Sequence, residues 1–187
     1  TLPFVGVEPG VKPAVQASAT GVVGVLATAA TLRSTRFQTL LDQQAHEIRF
    51  VCQAGHGLVE LIEHGGVNGP DMDALLRRYL TPMVEQGADT IVLGCTHYAL
   101  LSPGIRRLFG NDLTLVETGR AVARRVDHQL GELGLRAAPH SNASIRYAST
   151  AAAEADRTPL QQLAGQISPE SAQVEAAQID TPMGEPA

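Results

Sequence analysis

Short runs of apolar residues alternate along the chain with segments whose apolar residues recur every three or four positions. The runs predict buried strands, and the recurring pattern predicts helices with one face in a core. Strands are predicted at residues 2–7, 21–27, 48–52, 90–93 and 113–116. Helices are predicted at residues 10–19, 32–45, 57–64, 68–87, 100–109 and 118–133. This alternation, with short connections, indicates an α/β fold in which a parallel sheet carries helices on both faces.

Two helix boundaries and the tail carry specific expectations. Thr28 or Thr31 is expected to cap the helix at 32–45, because a threonine side chain can accept a hydrogen bond from the first amides of a helix. Pro82 is expected to kink or divide the helix that begins near residue 68, since proline has no amide hydrogen. After about residue 136, a strand pattern at 144–149 and a helix pattern at 161–167 precede a polar tail, which predicts disorder beyond 168.

Composition narrows the classes of function. The formal net charge of −5 argues against a nucleic-acid surface, and no apolar run approaches the length that spans a bilayer. The start of the chain lacks the basic and apolar regions of a secretory signal. Only two cysteines occur, without CxxC spacing, which favours a reducing cytoplasm over a disulfide framework.

Cofactor and metal motifs are weak in this sequence. No G-x-G-x-x-G follows a strand and no G-x-x-x-x-G-K-[ST] occurs, so the usual glycine patterns for nucleotide cofactors are missing. Cys52, His56 and His64 are close in sequence but lack a standard zinc-ligand spacing, and no metal is predicted. The helix after Thr28 and Thr31 could bind a carboxylate through its first amides and hydroxyls, with plain helix capping as an equal alternative.

The segment Thr90-Ile-Val-Leu-Gly-Cys-Thr-His-Tyr98 carries the clearest chemistry. A predicted strand ends at Gly94, which allows the backbone to turn and approach a substrate, and Cys95 follows at the carboxyl edge of the sheet. A cysteine there can be a nucleophile, a metal ligand or a proton-transfer base, and the alternative is a buried core residue. Cys52 also ends a predicted strand, so from spacing alone it is a candidate for a second thiol at the same edge.

The run Leu93-Gly-Cys-Thr-His-Tyr-Ala-Leu-Leu101 resembles the second-cysteine motif of glutamate racemases, in the aspartate/glutamate racemase superfamily. Residues 5–10, 24–34 and 116–119 resemble further segments of that family in the same order, and the similarity covers about residues 4–150. Ala99 stands where the family usually has proline. Cys52 is followed by Gln-Ala and does not match the family's first cysteine motif, Cys-Asn-Thr, so no catalytic role is carried over to it.

The resemblance implies two pseudo-symmetric α/β domains with the active site between them. It implies interconversion of L- and D-glutamate without a cofactor, which supplies D-glutamate for peptidoglycan. Cys95 would be one of two proton-transfer cysteines, His97 would assist the thiol and line the site, and Thr96 would bind the substrate. Thr28 and Thr31 are weaker candidates for contact with a substrate carboxylate.

On the same basis we expect residues 1–19 to be a remnant of the first domain and 20–118 to be the complete second domain. Residues 119–167 would return to the first domain, and 168–187 would be a disordered tail. The family's Asp-Ser, Tyr-Gly and first Cys-Asn-Thr motifs are expected before Thr1, so the chain is expected to be truncated and inactive alone. A homodimer is compatible with this interpretation.

Two other functions stay open. One is a different cysteine enzyme of the superfamily, such as an aspartate racemase or an arylmalonate-decarboxylase-like protein. The other is a non-catalytic remnant that binds a small acid or a partner protein. Thr96 and His97 directly after Cys95 favour the glutamate branch.

Overall fold

The computed structural model describes residues 3–46, 48–138, 144–150, 154–167 and 174–177. It has two compact units, one of residues 1–61 and 66–137, the other of residues 62–65 and 138–187. The strands of the first unit are β1 (Val22–Ala27), β2 (Arg49–Ala54), β3 (Thr90–Leu93) and β4 (Thr114–Val116). The helices up to residue 137 are α1 (Val11–Ala17), α2 (Ala29–Arg33), α3 (Thr35–Asp42), α4 (Leu58–Glu63), α5 (Pro70–Glu85), α6 (Ser102–Phe109) and α7 (Gly119–Glu132). A 3-10 helix, Thr96–Leu101, precedes α6.

The four strands form one parallel sheet in the order β2-β1-β3-β4. On one face, α1 and α3 pack against alternate residues of the central strands, and the buried side chains there are Val11, Ala14, Val23, Val25, Ala27, Phe37, Leu41 and Val92. On the other face α5 approaches so closely that a Cβ on Gly24 would lie 2.8 Å from Sδ of Met83. The predicted α/β fold, with a parallel sheet covered on both sides, is confirmed.

The structure differs from the predicted elements at the start of the chain and after β1. Residues 3–9 form no strand, and the prolines at positions 3 and 9 have no amide hydrogen to donate to a sheet. The helix predicted at 32–45 is two helices, because Ser34 is extended (φ −70°, ψ 132°) between α2 and α3. Ser34 Oγ accepts a hydrogen bond from the Phe37 amide (3.2 Å) and so caps α3.

Helix α5 passes through Pro82 without dividing. Its inward residues recur at helical spacing and are Met72, Leu76, Tyr79, Leu80 and Met83. Pro82 lies on the exposed side of the helix, where water can reach the carbonyl that proline leaves without a helical partner. Burial of the opposite face therefore outweighs the local cost of the proline.

The second unit contains β5 (Tyr147–Ser149), α8 (Glu154–Ile167) and β6 (Val174–Ala176). The two strands pair in parallel, from Tyr147 with Val174 to Ser149 with Ala176. Helix α8 starts earlier than the predicted 161–167. The structure thus has a strand at 174–176 within the predicted disordered tail, whereas 168–173 and 178–187 lie outside the described residues.

Asp89 joins the two loops that enter β1 and β3 from the amino edge of the sheet. Its carboxylate accepts hydrogen bonds from Ser18 Oγ (2.7 Å) and from the amides of Ala19 (2.7 Å) and Thr20 (2.9 Å). Desolvation of the carboxylate opposes ionisation, but these hydrogen bonds outweigh it and hold the pKa of Asp89 below its usual value. Asp89 is therefore charged in the folded protein at neutral pH.

No helix among the described residues is long and apolar enough to cross a membrane.

We expect Asp89→Asn to destabilise the fold by about 1 kcal/mol, the value of hydrogen bonds to a charged group discounted for partial exposure. Because the folded-state pKa is lowered, this stabilisation is complete above about pH 4 and is lost as the pH falls through the folded-state pKa. Urea unfolding followed by circular dichroism should show a difference from wild type that shrinks on acidification. Asp112→Asn, at an exposed turn, is the control, and an equal loss in both variants would contradict the role of Asp89.

Candidate active site

Cys95 lies at the carboxyl edge of the sheet, two residues beyond the end of β3. Its backbone is extended (φ −137°, ψ 140°) and leads directly into the 3-10 helix that begins at Thr96. The thiol is half-buried. Since all four strands of the first unit run in parallel, their carboxyl ends meet at this edge, where ligands bind in open α/β sheets.

Gly94 brings the end of β3 very close to β1. Its amide donates to the carbonyl oxygen of Leu26 (2.8 Å), and a Cβ at this position would lie 2.9 Å from Cβ of Ala27. The φ angle of Gly94 is not positive. Glycine is therefore needed at this position for a close approach to β1, rather than for the backbone turn that the sequence suggested.

A cleft of about 350 Å³ opens beside Cys95. The described residues that line it are Val7, Glu8, Pro9, Thr31, Ser34, Leu93, Gly94, Cys95, Thr96 and Thr118. Three predicted site residues, Cys95, Thr96 and Thr31, thus meet in one cleft. Its volume is at the small end of the range for ligand pockets and suits a compact, polar molecule.

His97 contacts Cys95 but is not among the residues that line the cleft. Nδ1 of His97 lies 3.8 Å from Sγ of Cys95, within reach of a weak hydrogen bond that involves sulfur. The tautomer of the imidazole decides which of the two atoms donates. An imidazole in this place can accept the proton of the thiol or return it.

Thr28 supports Thr31 without lining the cleft itself. Oγ1 of Thr28 accepts a hydrogen bond from the Thr31 amide (3.2 Å) and so caps α2. The two threonine hydroxyls lie 2.9 Å apart. Thr28 therefore has the capping role that the sequence left as the alternative, and Thr31 presents its side chain to the cleft.

The sequence did not identify Glu8, Ser34 or Thr118 as residues of the cleft. Each belongs to a segment whose position depends on the fold: Glu8 precedes α1, Ser34 lies between two helices and Thr118 follows β4. Thr118 could have been found from its place after a predicted strand, because strand ends converge at this edge. Glu8 and Ser34 carry no comparable signal.

A carboxylate and a guanidinium lie together at the rim of the cleft. Arg36 of α3 pairs with Glu8 and donates a hydrogen bond to it. This hydrogen bond, and then the charge of Arg36, hold the pKa of Glu8 below its usual value. Glu8 is therefore ionised at neutral pH, and Arg36 offsets its charge, which lessens the repulsion of an anionic ligand.

Cys52 does not share the edge of the sheet with Cys95, contrary to the expectation from spacing. Strand β2 continues to Ala54, and Cys52 is in register with Val25 of β1, which is in register with Val92 of β3. Cys52 is exposed and is not among the residues that line the cleft. Atoms packed around one side of the thiol desolvate it and raise the pKa of Cys52, so the neutral thiol dominates at neutral pH.

The residues considered for zinc do not form a metal site. Within the described ranges, no group of three or more His, Cys, Asp or Glu side chains could hold a metal ion. Cys52 belongs to β2 and His56 to the loop that follows it. The residues with reactive or polar side chains at the cleft are Cys95, which has the imidazole of His97 beside it, Thr31, Ser34, Thr96, Thr118 and Glu8, which is paired with Arg36.

The family model and the similar proteins found by sequence comparison indicate the same family. Residues 1–126 match the family model described as Asp/Glu/Hydantoin racemase. A glutamate racemase of Cupriavidus pinatubonensis is 50% identical over 179 residues, which are 96% of this chain and 64% of the relative. A glutamate racemase of Ralstonia nicotianae is 51% identical over 160 residues, or 86% of this chain and 56% of that protein.

A solved structure agrees with these relatives. The crystal structure of Escherichia coli glutamate racemase in complex with L-glutamate and the activator UDP-MurNAc-Ala matches with a TM-score of 0.73 and 29% identity. The match covers 92% of this chain and 64% of the other. The chain therefore spans less than two thirds of the length of the relatives that it matches.

We expect Gly94→Ala to separate the ends of β1 and β3, because the new methyl group would lie 2.9 Å from Cβ of Ala27. The cost should be about 1–3 kcal/mol of stability, typical of overpacking, and the alkylation rate of Cys95 should change. Peptide mass spectrometry after iodoacetamide treatment can measure that rate against Cys52 in the same molecule. Gly119→Ala is the control, since no atom beyond its chain neighbours and the nearby backbone of α7 lies within 4 Å of its Cβ position. Wild-type behaviour of Gly94→Ala would refute the need for this close approach.

Proposed function

Because the chain belongs to the Asp/Glu/hydantoin racemase family, we propose that it forms one wall of the active site of a glutamate racemase. Cys95 is the proton-transfer group of this wall. The observation that carries the proposal is the half-buried thiol of Cys95, which opens into the cleft with the imidazole of His97 at 3.8 Å. Thr31 and Thr96 line the same cleft.

The reaction inverts the α-carbon of glutamate by moving one proton off and another on. A thiolate removes the α-proton on one face, the C–H bond breaks, and the electron pair spreads into the α-carboxylate. A thiol on the opposite face then forms the new C–H bond with its own proton, which leaves a thiolate there. Such proton transfers need no cofactor, provided that each acid or base lies within hydrogen-bond reach of the reacting carbon.

The groups around Cys95 have separate roles in this proposal. His97 lies against Sγ and helps to form or reprotonate the thiolate, as a neighbouring imidazole can. Hydroxyls of Thr96 and Thr31 hydrogen bond the substrate, and donors at a carboxylate stabilise the charge that develops on it during deprotonation. Thr28 orients Thr31 through the cap of α2 and does not contact the substrate directly.

The second proton-transfer group comes from outside this wall. Among the described residues that line the cleft, Cys95 contributes the thiol, and Cys52 lies in the interior of β2. The relatives extend beyond the part that this chain matches. We assign the opposing cysteine to a segment before Thr1, in line with the family motif that this chain resembles.

Residues 119–167 complete the first domain in this proposal, while 20–118 form the second. Helix α7 is amphipathic in sequence, yet none of its residues is buried, and Val126 is 39% exposed. In the described part of the second unit the sheet has two strands, β5 and β6, and a two-stranded pair is marginally stable by itself. Both features suit docking against a further domain. Helix α1 of the 1–19 segment, by contrast, packs its buried Val11 into the sheet of the second domain.

The cellular role follows from the product. D-Glutamate made in the cytoplasm would supply peptidoglycan synthesis. An aspartate racemase is the alternative enzyme, and it would use the same thiol chemistry on a shorter side chain. Racemisation assays with L-glutamate and L-aspartate side by side distinguish the two, because only the preferred substrate should lose its optical activity at low enzyme concentration.

Cys95→Ser in the complete reading frame should abolish racemisation of glutamate, because a hydroxyl is a far weaker acid than a thiol. A loss of at least about 100-fold is expected for a missing proton-transfer group. Circular dichroism of D-glutamate during incubation measures the reaction. Cys52→Ser is the matched control and should keep turnover within about twofold. Its thiol is exposed and does not line the cleft, so it cannot exchange a proton with a substrate bound there. An active Cys95→Ser together with an inactive Cys52→Ser would reverse the assignment.

The 187-residue chain by itself should not racemise glutamate. Inversion requires a proton donor on each face of the α-carbon, and the described residues of the cleft supply one thiol. Circular dichroism should show no progress of D-glutamate toward the racemate, whereas the complete reading frame should show it without added pyridoxal phosphate or metal. Turnover by this chain alone would contradict the assignment of the second cysteine and would make Cys52 a candidate again.

A further inference from the structure

Two buried tyrosine hydroxyls hold consecutive carbonyls of the loop between β2 and α4. Tyr98 of the 3-10 helix is fully buried, and its Oη donates to the carbonyl of Gly55 (3.1 Å). Tyr79 of α5 is 5% exposed, and its Oη donates to the carbonyl of His56 (2.7 Å). The two hydrogen bonds are chemically alike, but only Tyr98 lies on the element that begins next to Cys95.

Tyr98 also contacts Cys95 through its backbone. The amide of Tyr98 donates to the carbonyl of Cys95 (3.0 Å), the hydrogen bond that starts the 3-10 helix. On the other side of Cys95, the amide of Gly94 donates to Leu26 (2.8 Å). The backbone of Cys95 is therefore held between β1 and Tyr98, and the side chain of Tyr98 is held by Gly55.

Gly55 is shaped for this contact. A Cβ at this position would lie 2.6 Å from Oη of Tyr98 and 2.7 Å from Cδ1 of Leu58, so a side chain would displace the hydroxyl. The amide of Gly55 donates to the carbonyl of Ala27 at the end of β1 (3.0 Å). Three hydrogen bonds thus connect Cys95 to Tyr98, Tyr98 to Gly55, and Gly55 to the end of β1.

The hydroxyl of Tyr98 stays protonated at all working pH values. Burial, and then the nearby charges of Cys95 and Glu60, raise the pKa of Tyr98. A neutral phenol can donate to the Gly55 carbonyl, whereas a phenolate could not. The contact is therefore constant over the pH range in which a thiol and an imidazole exchange protons.

We propose that Tyr98 is a positioning residue for Cys95, because its hydrogen bond to Gly55 holds the first turn of the 3-10 helix in the orientation that directs the thiol into the cleft. Tyr98 does not line the cleft and acts only through Cys95. Its effect on racemisation rests on the proposed function, but its effect on the thiol does not. Removing one hydroxyl should therefore disturb the reacting atom while leaving the substrate contacts in place.

The test compares Tyr98→Phe with Tyr79→Phe in the complete reading frame. Both variants lose one hydrogen bond from a tyrosine hydroxyl to a loop carbonyl, buried for Tyr98 and partly buried for Tyr79, so both should lower the urea midpoint. Tyr98→Phe should lower kcat by about 10- to 100-fold with KM changed less than about twofold, because a small misplacement of a reacting group reduces the rate strongly. Tyr79→Phe should leave kcat within about twofold of wild type, since it does not move Cys95.

A second measurement on this chain does not depend on racemase activity. The ratio of iodoacetamide alkylation at Cys95 to that at Cys52 should change by about twofold or more in Tyr98→Phe, as thiol reactivity follows the local environment, and should not change in Tyr79→Phe. Equal kcat and equal alkylation ratios in the two variants would overturn the proposal. If Tyr98→Phe does not fold, Gly55→Ala displaces the same hydroxyl from the opposite side and should change the same ratio. A racemase-active Cys95→Ser would refute the proposed function, while the alkylation ratio would still decide the positioning role.

Discussion

The pairing of β1 with β3 is the constraint on which the cleft depends. Leu26 and Leu93 are in register, and the hydrogen bond from the Gly94 amide to Leu26 extends this pairing one residue further. Because both strands then end, β1 leads into the threonines at the start of α2, and β3 leads into Cys95. A slip of one residue would turn every side chain of β3 to the other face of the sheet and would remove the thiol from its hydroxyl neighbours.

The hydrophobic pattern predicted the fold class and the four strands of the sheet, and it failed where strand pairing or a helix boundary depends on more than apolar periodicity. The four strands of the sheet were predicted from short runs rich in apolar residues, as strands of a parallel sheet are, although Arg49 and Thr114 interrupt two of the runs. The run at 2–7 is just as apolar, but no strand pairs with residues 3–7, and pairing is a non-local property. Ser34 and Pro82 show the converse: the serine hydroxyl ends one helix and caps the next, while the proline is tolerated on an exposed side.

The candidate site was predictable only for residues in a strand-to-helix connection. The rule that strand ends converge placed Cys95 at this edge, whereas Thr96 was named through the family resemblance and Thr31 through helix capping and that resemblance. Glu8 lies in a segment without regular structure, and Ser34 reaches the cleft because α2 is only five residues long. Neither the path of a loop nor the length of a short helix can be derived from hydrophobic periodicity. Cys52 was misplaced for a related reason, since the end of β2 lies two residues later than the apolar pattern indicated.

The two cysteines show that exposure of a thiol and access to the cleft are separate properties. Cys52 is the more exposed of the two, but it lies inside an edge strand, where neighbouring backbone groups are engaged in the ladder with β1. Cys95 lies just beyond its strand, where the ladder has ended and side chains from four separate segments line one cleft. A proton-transfer group must face both a base and the groups that stabilise charge on the substrate. Of the two cysteine positions, the one after β3 has both kinds of group nearby, because the imidazole of His97 follows two residues later and Thr31, after the adjacent strand, lines the same cleft.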